Sequence, residues 1–237
     1  MKNSPKVFNN AKEAVKDIKN GSHIMSGGFG LCGIPENSIE AISELNLKDL
    51  SVISNNIGNS GRGLVSWLKK HMISKAYCSY VGGNPDLEEQ IINKLIEIEL
   101  IPQGTFSERI RAAGMGIRAF YTPTGHGTLV AEGKETKDFD RPCILEEALH
   151  ADYAIIKAEI GDDYGNLWFK ESARNFSPLM AMAAKTTIVE VEKLVKVGDI
   201  KPEDIHLPGL FVQRIYQGKD YKNDIEFLKV EGKNELV

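Results

Sequence analysis

The chain has 237 residues, 42% of them hydrophobic and 26% charged, at a mean hydropathy of −0.24. That balance excludes a disordered chain, a collagen-like repeat and a helical membrane protein, since no run of about 18 apolar residues occurs. Lysine and arginine number 29 against 33 aspartates and glutamates, a net charge of −4 that offers no basic field to nucleic acid or an anionic membrane.

In chain order, apolar periodicity alternates between helix-like and strand-like. A helix is expected over 10–20, closed by Gly21, then a short strand over 22–26 and a glycine-rich loop over 27–33. Pro35 fits the first turn of a second helix over 35–45. A strand over 50–54 ends in Asn55-Asn56, and a helix over 64–71, a strand over 75–81 and a helix over 86–95 follow. The next expected strand spans 96–101, the next helix 106–113 and a fifth parallel strand 118–122. Short βα connections of this kind give an α/β fold: a mostly parallel open sheet flanked by helices. Beyond Pro123, extended pieces over 128–131, 144–147, 153–158 and 166–169 read as additional antiparallel hairpin layers, before a helix over 177–185 and a buried strand over 186–191. The whole is expected to be a single domain over 1–237, with 218–237 a loosely held tail and no repeat of fixed period.

Cys32, Cys78 and Cys143 are widely spaced and form no C-x-x-C pair, so neither a disulfide framework nor a metal site is expected. The N-terminal residues lack an apolar signal core, and a cytoplasmic protein is expected. Open α/β sheets bind ligands beyond the carboxyl ends of their strands, which directs attention to the loops there. Gly28-Phe29-Gly30-Leu31-Cys32-Gly33 formally matches G-x-G-x-x-G, but the second strand ends in Ser54-Asn55-Asn56 rather than in an acid, and Pro35 delays the helix past the last glycine. A nicotinamide or flavin site is therefore set aside. Without Gly-Lys-Ser/Thr there is no P-loop either. What remains is glycine N–H groups beside a helix start, an arrangement expected to cradle a phosphate or carboxylate.

Ser26-Gly27-Gly28-Phe29-Gly30-Leu31-Cys32-Gly33-Ile34-Pro35-Glu36-Asn37 resembles the signature of the A, or alpha, half of the 3-oxoacid (succinyl-CoA:acetoacetate) CoA-transferases. Further blocks match in order: Ser54-Asn55-Asn56, Ser79-Tyr80-Val81-Gly82, Pro102-Gln103-Gly104-Thr105, Glu108-Arg109-Ile110-Arg111-Ala112, Tyr121-Thr122-Pro123-Thr124-Gly125, Ala173-Arg174-Asn175-Phe176 and Glu203-Asp204-Ile205-His206-Leu207-Pro208-Gly209. The resemblance implies transfer of CoA between carboxylic acids through a glutamyl-CoA thioester, with CoA a substrate and no permanently bound cofactor. It implies that the nucleophilic glutamate, in a Glu-Asn-Gly or Glu-Gly context, lies on a separate B (beta) subunit in an A2B2 heterotetramer. The family's role in ketone-body and short-chain fatty acid metabolism is implied with it. By the same resemblance Gly27, Gly28, Phe29, Gly30, Leu31, Cys32 and Gly33 are CoA-binding, while Gln103, Asn55 and Asn56 are supporting catalytic donors to tetrahedral oxyanions.

The chain departs from the family at Asn59-Ser60-Gly61-Arg62-Gly63-Leu64, at Gly83, where a glutamate is usual, and at Arg118. Loss of acidic groups near the strand ends implies a differently charged or longer acid. Glu36 reads as a dipole partner in a first turn, Cys32 as small-residue packing and His126 as a loop residue. His206 is expected to anchor the C-terminal segment, and Arg109 with Arg111 to form a solvated or subunit-contacting face. A non-catalytic module sensing acyl-CoA or a sugar phosphate is the alternative reading of the same sheet. A sugar-phosphate isomerase or deaminase is a second one.

Overall fold

The computed structural model describes residues 6–223. In chain order the elements are β1 (Lys6–Val7), α1 (Ala11–Val15), β2 (His23–Ser26), α2 (Glu36–Glu44), β3 (Leu50–Ile53), α3 (Val65–Lys69), β4 (Ile73–Cys78), α4 (Pro85–Ile92), β5 (Glu97–Leu100) and α5 (Gln103–Gly114). After these come β6 (Ala119–Thr122), β7 (Thr136–Asp138), β8 (Pro142–Glu147), β9 (Ala151–Asp162), β10 (Leu167–Trp168), α6 (Ser177–Ala183), β11 (Ala184–Val195) and β12 (Arg214–Gln217).

The main sheet runs in the order β1-β12-β11-β9-β2-β3-β4-β5 with every neighbouring pair parallel, and β10 adds antiparallel to β9. From β2 the chain steps outward through β3, β4 and β5, whereas β9, β11 and β12 lie on β2's other side. The strand order therefore reverses between β2 and β9, the place where an open α/β sheet presents its ligand crevice. Successive strand side chains point to opposite faces, and each face meets its own helices. Ile24, Val52, Ile155 and Ile188 pack with α1 to α4, among them Ile42 and the fully buried Trp67. Their neighbours Met25, Ile53, Ile156 and Val189 pack with α5 and α6 through Phe106, Ile110 and Met180. Each such buried side chain contributes about 1.5–3 kcal/mol.

Several expected elements are relocated. The strand expected over 118–122 is real but belongs to a separate antiparallel sheet of order β6-β8-β7. The piece expected over 153–158 as a hairpin layer is instead part of β9, at the centre of the parallel sheet. Local apolar pattern gives a strand's existence but not its sheet. The piece over 128–131 is a 3-10 turn, Leu129–Ala131, whose start is capped by the Thr128 hydroxyl. Helix α1 stops at Val15 rather than running to residue 20. Arg214 of β12 takes the Ala14 carbonyl at 2.6 Å and grips the Asp17 carboxylate at 2.5 and 2.7 Å.

Arg109 also departs from expectation. Rather than facing solvent, it is buried between the two sheets, donating to the Glu147 carbonyl at 2.6 Å and pairing with Glu99 at 2.5 Å and Glu146 at 3.6 Å. Lys134 meets the other side of buried Glu146 at 2.6 Å. Arg111 keeps to the surface, paired with Glu108.

Helix α2 begins at Pro35, which supplies no side-chain cap. The fully buried Glu190 of β11 takes that place, accepting from Asn37 N–H at 3.2 Å, Ser38 N–H at 2.8 Å and the Tyr216 hydroxyl at 2.8 Å. The same helix holds the start of the expected tail: the Glu36 carboxylate accepts from Lys222 and Asn223 N–H, and the Asn37 side chain bonds both N–H and C=O of Lys219. Residues 218–223 are thus docked, and the remainder of the expected tail, 224–237, lies outside the described residues.

Burial pushes the Glu190 carboxyl up to about 7. In the unfolded chain the group releases its proton at an ordinary carboxylate pKa, about 4.3, so between that pH and about 7 unfolding releases a proton and stability falls as pH rises. Glu190→Gln removes this component. Denaturant titrations from pH 4 to 8 are expected to show a flatter stability profile in the variant, with its advantage over wild type growing up to about pH 7.

Candidate functional site

The loops after β2, β3, β4 and β5 converge at the carboxyl edge of the sheet. After β2, Phe29 and Cys32 exchange both backbone hydrogen bonds at 3.0 Å, closing a tight hairpin. After β3, Asn59 and Arg62 do the same at 3.3 and 2.9 Å. The glycines of the formal G-x-G-x-x-G string therefore build a hairpin, and α2 opens only at Glu36. Gly33 has φ +72°, and a Cβ there would lie 2.6 Å from the Ala173 carbonyl.

This geometry corrects the expected anion cradle. Gly27 N–H donates to Ile155, Gly28 N–H to Asn175 Oδ1, Phe29 and Cys32 N–H to each other's carbonyls, and Gly30 N–H to Asn56 Oδ1. Two amides in the first turn of α2 are held by Glu190. The loop spends its amides on shape rather than on an anion.

Neutral side-chain amides supply what the loop does not. Asn56 Oδ1 accepts from Gly30 N–H at 2.9 Å and from Asn55 Nδ2 at 3.2 Å. Asn55 Oδ1 accepts from the Ser79 hydroxyl at 2.9 Å and from Gln103 Nε2 at 3.2 Å. An amide oxygen has two lone pairs, so both oxygens are saturated and both side chains are fixed in rotation. Each NH2 group carries two protons and spends one: Asn55 on Asn56, Asn56 on the Gly58 carbonyl and Gln103 on Asn55. Asn55, Asn56 and Gln103 are thus brought together in one relay. Gln103 stands one turn earlier in a helix than expected, as the first residue of α5 after Pro102. Asn55 and Asn56 are buried and Gln103 is exposed.

The other residues singled out by the sequence lie apart from this relay. Cys32 has its sulfur 3.8 Å from the Ser172 hydroxyl, and burial pushes the Cys78 thiol up to about 11, leaving it a poor nucleophile. His206 Nδ1 accepts from Phe169 N–H and its ring stacks on Trp168, while burial holds its pKa below the usual value. His126 is exposed in a loop, and Arg118 precedes the first strand of the small sheet. A Cβ at Gly83 would come within 3.7 Å of Asn59 Oδ1, so two of the departures from the family adjoin one another. Two Glu-Gly dipeptides do occur in the chain. Glu132-Gly133 is an exposed turn, and Glu231-Gly232 lies outside the described residues.

Comparison with known proteins agrees with this geometry. A family model described as coenzyme A transferase matches residues 8–218. The chain belongs to the coenzyme A transferase family. A protein from Helicobacter pylori J99, named as the A-type subunit of succinyl-CoA:3-ketoacid coenzyme A transferase, is 50% identical, the match covering 93% of this chain and 96% of that one. The human mitochondrial succinyl-CoA:3-ketoacid coenzyme A transferase 2 is 44% identical across 95% of this chain, which spans only 47% of its length. The fold matches an acyl-CoA transferase from Escherichia coli O157:H7 solved as a thioester complex with CoA, at a TM-score of 0.85 and 22% identity, covering 93% of this chain and 51% of that one. Within this transferase fold no helix among the described residues is long and apolar enough to cross a membrane.

Three supporting residues are not apparent from sequence. Ser79 and Asn175 fall within blocks that match the family, yet nothing in their spacing suggests a role, and Asn84 stands out only as the neighbour of Gly83. Asn84 is buried, donates to the Ile57 carbonyl at 2.6 Å and the Gly58 carbonyl at 3.2 Å, and accepts from Leu87 N–H at the start of α4. It braces the turn that presents Asn55 and Asn56. Asn84→Ala is expected to cost about 1–3 kcal/mol, read as a lower urea midpoint, since two buried carbonyls and a helix cap lose their partner.

Proposed function

We propose that this chain is the A-type (alpha) subunit of a 3-oxoacid CoA-transferase, moving CoA from an acyl-CoA of the succinyl-CoA class to a 3-oxoacid such as acetoacetate. The observation that carries the reading is the relay of Asn55, Asn56 and Gln103, whose fixed NH2 groups gather at the carboxyl edge beside the loop over 27–33. In support stand the family match and the A-type relatives of nearly the same length.

The nucleophile in this reading is a glutamate of a separate B subunit. Its carboxylate oxygen attacks the thioester carbon, and the tetrahedral adduct expels CoA thiolate to leave a mixed anhydride. The thiolate attacks the glutamyl carbonyl, expelling the first acid as its carboxylate and leaving glutamyl-CoA thioester. Acetoacetate then reverses both steps. Splitting one exchange into steps of similar difficulty is the gain of covalent catalysis. Every tetrahedral adduct carries an oxyanion, and the unspent N–H groups of Asn55, Asn56 and Gln103 are donors of the kind that stabilise it by about 2.7–4 kcal/mol each. The loop over 27–33, with Phe29 exposed at its tip, forms the wall against which CoA lies. Assembly as A2B2 and a cytoplasmic setting accompany this reading, in line with the bacterial A-type relatives.

Co-expression with a B-type chain tests it. The pair is expected to exchange CoA between succinyl-CoA and acetoacetate with ping-pong kinetics, and the isolated chain to show no turnover. Transferase activity in the isolated chain would overturn the division of labour. Gln103→Ala is expected to lower kcat by about 10²–10³-fold while the pair still assembles on size-exclusion chromatography.

A further inference from the structure

The loop over 27–33 is held from a segment far along the chain. Asn175 Oδ1 accepts from Gly28 N–H at 3.1 Å and from Phe176 N–H at 2.8 Å. Its Nδ2 donates to the Cys32 carbonyl at 3.1 Å, the Ser172 carbonyl at 3.3 Å and the Ala173 carbonyl at 3.1 Å. One half-buried side chain therefore ties the first strand of the hairpin, at Gly28, to its last, at Cys32. The adjoining Gly33 leaves no room for a Cβ against Ala173 of the same segment.

The backbone of Asn175 carries the cost of this position. Its φ of 24° and ψ of −120° are followed by −80° and −11° at Phe176, the pattern of a type II′ turn. The first of these positions favours glycine, which accepts positive φ without steric penalty. A side chain kept there against strain, with both amide ends engaged, points to a role that glycine cannot fill.

From Gly28 the clamp reaches the relay within two residues. Gly30 N–H fixes Asn56 Oδ1, Asn56 fixes Asn55, and Asn55 accepts from Gln103. We infer that Asn175 is a positioning residue for acyl exchange: it touches no reacting atom, and holds the hairpin so that Gly30 orients the donor amides. This rests on the function proposed above for those amides.

Amide hydrogen exchange on the wild-type chain tests the clamp without any partner. The Asn175 side-chain NH2 and the Gly28 N–H are expected to exchange more slowly than exposed amides, and exchange at the exposed rate would overturn the proposal. Asn175→Gly relieves the backbone and deletes the clamp. In the pair with a B subunit, kcat is expected to fall at least tenfold with KM changed less than threefold, while exchange at Gly28 and Gly30 accelerates and the thermal midpoint stays within a few degrees. A kcat within twofold of wild type, or a lower kcat without faster exchange at Gly28 and Gly30, would each overturn it. Asn175→Asp preserves shape and both accepted bonds but sets a carboxylate oxygen against three carbonyls. Its kcat is expected at least threefold below wild type, and equality with wild type would overturn the donor half of the clamp. Activity of the wild-type pair tests the functional reading and amide exchange tests the clamp, so the two fail separately.

Discussion

The candidate site depends on saturation of amide oxygens. A carboxamide turns freely until both of its lone pairs are filled. Here the fillers come from backbone and side chains of four successive strand-end loops, with Gly30 and Asn55 on one oxygen and Ser79 and Gln103 on the other. Those partners coincide only because β2, β3, β4 and β5 lie side by side in a fixed register. That register is in turn set by the two packed faces, Ile24 and Val52 on one side and Met25 and Ile53 on the other. Core packing and donor aim are thus one constraint seen at two distances.

Charge is arranged so that it stays off the relay. The start of α2, the obvious place for an anion, is occupied by buried Glu190, which the sheet itself provides. Neutral donors suit a site where carboxylates enter and leave, because a fixed cation would hold the ground-state carboxylate as firmly as the oxyanion that follows. Interactions equally strong in both states give no acceleration.

Much of this was legible in the sequence, and the limits have physical causes. The alternation from β2 to α5 follows from apolar periods of two and about 3.6, and the placing of Asn55, Asn56 and Gln103 beyond strand ends follows from the same pattern. The sheet to which residues 118–122 belong was not legible, because pairing with β8 depends on residues more than twenty positions away. Arg109 looked like a solvated charge because its partners Glu99, Glu146 and the Glu147 carbonyl meet only once the small sheet is folded against α5. The glycine loop looked like an anion cradle because a sequence shows that N–H groups exist but not that Asn175 or Asn56 has already engaged them.

The hairpins closed by Phe29 with Cys32 and by Asn59 with Arg62 stand thirty positions apart and share glycines at corresponding places, Gly28 with Gly58 and Gly33 with Gly63. The two crossovers are a local echo of one another, although the chain as a whole has no periodic repeat. Their anchors are locked: Gly58 has φ +74°, and a Cβ there would meet the Arg62 carbonyl at 2.4 Å. Their tips are not, since Gly61 has open space around it and Phe29 projects into solvent. Mutational drift can therefore accumulate at the tips while the anchors stay constant, and a lineage built on this scaffold can retune which acids it accepts without rebuilding the apparatus beneath.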